Sequence, residues 1–160
     1  MNGELEIRNV DIYDDGKQLN VRLEVRNNSS RTLYAYHYVR GMRYDDASKT
    51  LRLLLTDRHT VEGPLRFAVY RPPLIPIEPG ESEKLTLRVA RVLTQLGPEE
   101  PGRPGPTLRE APIHEAESVE LEVSWSDTPF YPEPGEKRSP LEQLQRWERG
   151  VIETRLDRRK

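Results

Sequence analysis

Apolar residues occupy every second position in one short stretch after another along this chain. Leu19, Val21, Leu23 and Val25 alternate with Asn20, Arg22, Glu24 and Arg26, the pattern of a strand with one buried and one wet face. Leu5 and Ile7 have the same spacing, and Val10 and Ile12 resume it one residue out of phase. A β-bulge produces such a slip, and so do two consecutive short strands. Asp14-Asp15-Gly16-Lys17 then reads as a hairpin turn, with glycine available for a positive φ. A strand rich in β-branched and aromatic residues is expected from Thr32 to Tyr44. The next runs from Thr50 to Thr56, with Leu51, Leu53 and Leu55 on one face and Leu54 on the other, which suggests cover on both sides. Phe67 to Tyr70 is a short candidate strand. Leu85, Leu87 and Val89 follow the Pro79-Gly80 turn, and Val119, Leu121, Val123 and Trp125 form the last alternating set. About seven strands with frequent turns, and almost no helical periodicity before residue 139, predict an all-β, antiparallel sandwich over residues 1–128.

Two segments depart from this pattern. Gly and Pro crowd residues 97–112, where a mobile loop is expected. Residues 129–138 read as a linker to a C-terminal amphipathic helix over 139–160. Ser139 is its N-cap, Pro140 its first helical residue and Glu142 the third position after the cap. Leu141, Leu144, Trp147, Val151 and Leu156 fall near one helical face, and Gly150 weakens the middle by about 1 kcal/mol relative to alanine. A single helix of this length is marginal in water and needs a surface to pack on, either its own sandwich or another chain. Removal of residues 139–160 is expected to leave a folded sandwich.

The run Leu19-Asn20-Val21-Arg22-Leu23-Glu24-Val25-Arg26-Asn27-Asn28-Ser29 resembles the alternating strand followed by Asn and Ser of bacterial immunoglobulin-like and fibronectin-type adhesion modules. Pro79-Gly80-Glu81-Ser82 before Leu85-Thr86-Leu87 is similar to their mid-domain strand entry. The resemblance covers about a quarter of the chain, and without a cysteine pair it is to disulfide-free members. It implies an immunoglobulin-like fold and leaves activity open, since such families include binders, spacers, inhibitors and assembly components.

Composition narrows the function classes. Only 34% of the 160 residues are hydrophobic while 32% are charged, so the core is narrow, a partner covers further surface, or some segments are disordered. Net charge is -2 with both signs interspersed, which argues against nucleic acid as a partner. Cysteine is absent, so disulfides, thiolate metal sites and cysteine nucleophiles are excluded. The first residues lack the layout of a secretory signal, and no stretch approaches the ~20 apolar residues of a membrane span; a cytoplasmic protein with no membrane partner is expected.

The candidate chemistry is sparse. His37, His59 and His114 lie on different elements without metal-ligand spacing, His37 expected partly buried and the other two on the surface. Asp11, Asp14 and Asp15, like Asp45 and Asp46, cluster at turns, where aspartate accepts backbone hydrogen bonds. No catalytic residue, metal ligand or cofactor site is expected. An enzyme would need residues converging from distant loops, with a histidine in a cleft beside a carboxylate or hydroxyl. Tyr34, Tyr36 and Tyr38 share one strand face at about 7 Å spacing. They are either core packing, an outward ladder for a protein partner, or a stacking platform for a sugar. Phe130 and Tyr131 either pin the departing linker or are offered to a partner. The expected function is a non-enzymatic protein–protein interaction or assembly module. Its contacts, to another protein or to a second copy, come from Tyr34, Tyr36, Tyr38, Phe130, Tyr131 and the helix stripe Leu144, Trp147 and Val151. A carbohydrate- or small-ligand-binding sandwich is the alternative.

Overall fold

The computed structural model describes residues 3–60, 72–97, 102, 105 and 107–158; the strand expected at Phe67 to Tyr70 lies outside them. The chain runs β1 (Leu5–Asp14), β2 (Gln18–Asn27), β3 (Leu33–Tyr36), β4 (Gly41–Asp45), β5 (Thr50–Leu55), β6 (Leu74–Ile77), β7 (Ser82–Ala90), β8 (Leu93–Leu96), β9 (Leu108–Ala111), a 3-10 turn (Ile113–Glu115), β10 (Ser118–Ser126), α1 (Pro140–Trp147) and β11 (Gly150–Asp157). The protein is all-β in character, with eleven strands among the described residues where about seven were expected. They form a three-stranded sheet in the order β1-β2-β7 and a six-stranded sheet in the order β4-β5-β10-β3-β6, with β11 also paired to β10. A small β8-β9 ribbon stands apart.

Both main sheets contribute to one core. Leu19, Val21, Leu23 and Val25 of β2 meet Leu51, Leu53 and Leu55 of β5 and Val119, Leu121 and Val123 of β10 in a single buried cluster. The period-two reading holds for the apolar rows of these strands, which all face the shared core. The phase slip in β1 is a bulge: its register against β2 shifts between Arg8 and Asp11, and Asn9 adopts φ 56°. The hairpin turn forms as expected, with Gly16 at φ 84° and the Asp15 carboxylate accepting from Lys17 N at 2.8 Å and Gln18 N at 2.7 Å. Asn27, wholly buried, ties the next turn down; its Nδ2 donates to Arg31 O at 2.7 Å and Ile77 O at 2.8 Å.

Four expectations need correction. The sandwich is not wholly antiparallel, since β5 and β10 run parallel in register from Ser118 opposite Thr50 to Val123 opposite Leu55. The strand expected from Thr32 to Tyr44 is two, because the backbone changes partners: His37 N donates to Pro73 O and Arg40 N to Leu54 O. That switch carries the chain from its pairing with β10 to the far side of β5. Part of the expected 97–112 loop is strand, β9 pairing with β8 from Leu93 opposite Ala111 to Leu96 opposite Leu108.

The largest correction concerns the C-terminus. The helix expected over 139–160 ends at Trp147, and Gly150–Asp157 is a strand paired antiparallel to β10. The start signal works: Ser139 Oγ accepts from Glu142 N at 3.2 Å and Pro140 opens the helix. The segment beyond Gly150 satisfies two periods at once. Val151 and Leu156 suit a helical stripe, but Val151, Ile152 and Thr154 are β-branched, and β10 offers a row of backbone partners. The segment after residue 138 completes the larger sheet.

Candidate functional site

Helix α1 lies on the outer face of the larger sheet. In β10 the residues opposite Val119, Leu121 and Val123 in the pleat are Ser118, Glu120, Glu122, Ser124 and Ser126, a row that alternation alone assigns to solvent. Part of that row is covered instead: the Thr56–Thr60 turn meets Glu122 and Ser124, and Glu148 at the end of α1 reaches Ser124. Glu122 is 1% exposed, and Ser124 and Ser126 are buried as well. Leu141 and Leu144 face inward and are buried, while Trp147 is half-buried. Gln145 Nε2 reaches the turn below, donating to Asp57 O at 3.2 Å and Thr60 O at 3.1 Å.

The expected contact residues separate into three groups. Tyr36 is core, 1% exposed, with its hydroxyl donating to Asp57 Oδ2 at 3.0 Å and its ring 6.3 Å from that of Trp147. Tyr34 is partly buried, and Tyr38 is 62% exposed beyond the end of β3, beside the His37 ring. The three tyrosines therefore form no ladder, because β3 stops at Tyr36 and the helix covers that residue. Leu144 is buried in the helix seat, and Val151 belongs to β11.

The third group comes together. Phe130 packs edge-to-face on Trp147, with ring centroids 6.4 Å apart. Trp147 Nε1 donates to Thr128 O at 2.6 Å, and Gln143 receives the Glu133 N–H at 2.8 Å. The 129–138 segment is thus strapped along α1, and between them runs an open groove of about 460 Å³. Pro129, Phe130, Tyr131 and Trp147 supply its apolar surface, with Glu133, Glu136, Arg138 and Arg146 among its polar lining. Tyr131 is 78% exposed.

Below the helix two buried carboxylates are ringed by donors. Asp57, 3% exposed, accepts from Tyr36, from Arg40 Nε at 3.3 Å and from Thr60 Oγ1 at 3.2 Å. Glu122 meets Arg52 and Arg58 at 3.2 Å each and His59 Nε2 at 2.9 Å. Ser124 Oγ bridges Thr56 Oγ1 and the Glu148 carboxylate. Nothing in the sequence separates Glu122 from its neighbour Glu120, since both alternate with apolar residues. The element that buries one of them arrives from elsewhere in the chain.

Of the histidines, His59 alone sits beside a buried carboxylate. Among the described residues no hydroxyl is hydrogen-bonded to its Nδ1, the ring nitrogen left for a nucleophile once Glu122 takes Nε2. His37 Nδ1 pairs with Pro73 O and half-buried His114 Nδ1 with Arg91 O. The turn aspartates are engaged locally: Arg91 Nε lies 3.1 Å from Asp14, and the Asp45 carboxylate accepts from Ala47 N and Ser48 Oγ. Among the described residues no group of three acidic or histidine side chains could hold a metal ion, and no helix is long and apolar enough to cross a membrane. No protein-family model, curated protein or solved structure matches this chain.

Proposed function

We propose that this chain is a non-enzymatic protein-interaction module, an immunoglobulin-like sandwich that holds an extended segment of a partner protein in the groove between residues 129–138 and α1. One observation carries this reading: Phe130, Tyr131 and Trp147, from two separate segments between β10 and β11, are gathered with Pro129 around one open groove. Aromatic-lined grooves suit extended, proline-containing segments, because such a segment loses little conformational entropy on binding. Tyr131 supplies amphipathic contact area at low entropic cost, and basic and acidic side chains around the groove set orientation more than affinity. The buried carboxylates favour scaffolding over catalysis. Glu122 is already engaged by two guanidinium groups and an imidazole, so its oxygens are committed within the fold.

The test is selection from a random-peptide display library with the intact protein, followed by direct binding of the enriched peptides to Tyr131→Ala. Because Tyr131 is largely exposed, the variant keeps its fold. Enriched peptides should lose roughly tenfold in affinity, about 1.4 kcal/mol. Failure to enrich any sequence, or equal binding by the variant, refutes the reading.

A further inference from the structure

We propose that β11 pairs edge to edge with β11 of a second copy, antiparallel, with Thr154 on the two-fold axis. The surface is independent of the aromatic groove. An exposed strand edge is a template for another chain, and proteins blunt such edges with proline, lysine, bulges or short strands. The other edges here are blunted. β1 carries its bulge, β6 is four residues long and contains Pro76, and β7 presents exposed Lys84. The outer side of β4 is capped by Gln95, whose side chain donates to Tyr44 O at 2.9 Å and accepts from Tyr44 N at 3.2 Å. β11 has no proline, lysine or bulge, and its exposed charges Glu153, Arg155 and Asp157 are of both signs. It runs for eight residues in unbroken register with β10, and among the described residues no strand pairs with its other side.

Parity decides which backbone groups that side offers. Arg158 N donates to Glu117 O at 2.7 Å, and hydrogen-bonded and non-bonded pairs alternate along an antiparallel ladder. Ile152, Thr154 and Leu156 therefore direct their N–H and C=O groups toward β10, while Val151, Glu153, Arg155 and Asp157 direct theirs outward. Side chains divide the same way: Ile152, Thr154 and Leu156 align with the core row Val123, Leu121 and Val119, and the other four lie on the outer face.

Charge then selects the register. A symmetric pairing must keep both core rows on one side, so the axis passes through a single residue. An axis at Glu153 sets Glu153 against itself, and an axis at Arg155 sets Arg155 against itself; like charges directly opposite are unfavourable. An axis at Thr154 sets Glu153 opposite Arg155 twice, and Ile152 opposite Leu156 twice on the core side. Glu153 and Arg155 are 66% and 57% exposed, free to exchange their intrachain partners for each other. Leu156 already lines, with Val10 and Ile12, an open groove of about 410 Å³ between β1 and β11. A second Ile152 beside it would continue the core across that opening.

Light scattering on the intact protein over a concentration series should approach twice the 18.6 kDa chain mass. E153R and R155E each place like charges in opposition and should raise the dissociation constant at least about tenfold. The double swap E153R/R155E restores complementarity and should restore the dimer, which no general loss of folding can mimic. A monomer at all concentrations, a mass that grows beyond the dimer, a dimer indifferent to both single reversals, or a double swap that stays monomeric would each overturn the pairing.

Discussion

Gly150 lies directly against the indole of Trp125: a β-carbon at Gly150 would stand 2.6 Å from both Cε2 and Cζ2. The two residues are register partners at the start of the β10–β11 ladder. The glycine that looks like a weak point in a helix is therefore what admits the tryptophan to the sheet. Replacing Gly by Ala in a strand normally stabilises by reducing backbone entropy, about 0.5–1 kcal/mol. Here overpacking against a large ring held in the core outweighs that gain. Gly150→Ala should destabilise by about 1–3 kcal/mol in denaturant unfolding, and unchanged or raised stability would show that the contact does not persist in solution.

Glu122 and His59 should respond very unequally to mutation. The carboxylate is 1% exposed, whereas the imidazole is 43% exposed. Glu122→Gln keeps the shape but turns a donor toward two guanidinium groups, and should cost about 1–3 kcal/mol. His59→Ala leaves Glu122 with Arg52 and Arg58 and should cost less than about 1 kcal/mol. A His59→Ala cost equal to that of Glu122→Gln, read from paired urea titrations, would contradict this assignment.

Stability should fall at both ends of the pH scale, through different groups. Hydrogen bonds from Gly16 N and Arg91 hold Asp14 below the usual carboxylate range, and those from Gln18 N and Lys17 N do the same for Asp15. Their contribution is present above the ordinary aspartate value of 3.8 and is lost as pH falls through the lowered folded values. Burial, with the nearby charges of Glu115, Glu117 and Asp45, pushes the Tyr44 phenol up. A raised value contributes below the ordinary tyrosine value and is lost as pH rises through the folded one. Asp15→Asn should flatten the acid limb of a urea-midpoint profile, and Tyr44→Phe the alkaline limb. Unchanged limbs would remove these groups as the cause.

Truncation after residue 138 should unfold the protein or drive it to aggregate. It strips β11 from eight successive positions of β10 and Trp147 of the helix from Tyr36. Circular dichroism and limited proteolysis of the truncated chain provide the check; a soluble, protease-resistant sandwich would return the C-terminus to the status of an appendage.

Local information ends at identifiable residues. Asp15 and Gly16 announce their turn because the hydrogen bonds that make it lie within three residues. The slip from Ile7 to Val10 is visible because the alternation breaks there, but the register against β2 is what makes it a bulge and not two short strands. Tyr36 gives no such notice. It shares its period with Tyr34 and Tyr38, and only the arrival of Trp147 from 111 positions away buries one of the three. Glu122 is equally silent, since its partners Arg52, Arg58 and His59 come from β5 and the Thr56–Thr60 turn.

The amino-acid sequence by itself determined the alternating strands, the phase slip in β1, the first hairpin turn and the start of α1, because each depends on dihedral preference and hydrogen bonds between near neighbours. Tertiary structure alone decided that α1 stops at Trp147, that residues 150–157 become a strand, and that Phe130, Tyr131 and Trp147 meet at one groove. Val151 to Leu156 satisfy the helical and the extended period alike. The choice between them fell to the open backbone edge of β10, a partner some thirty residues away.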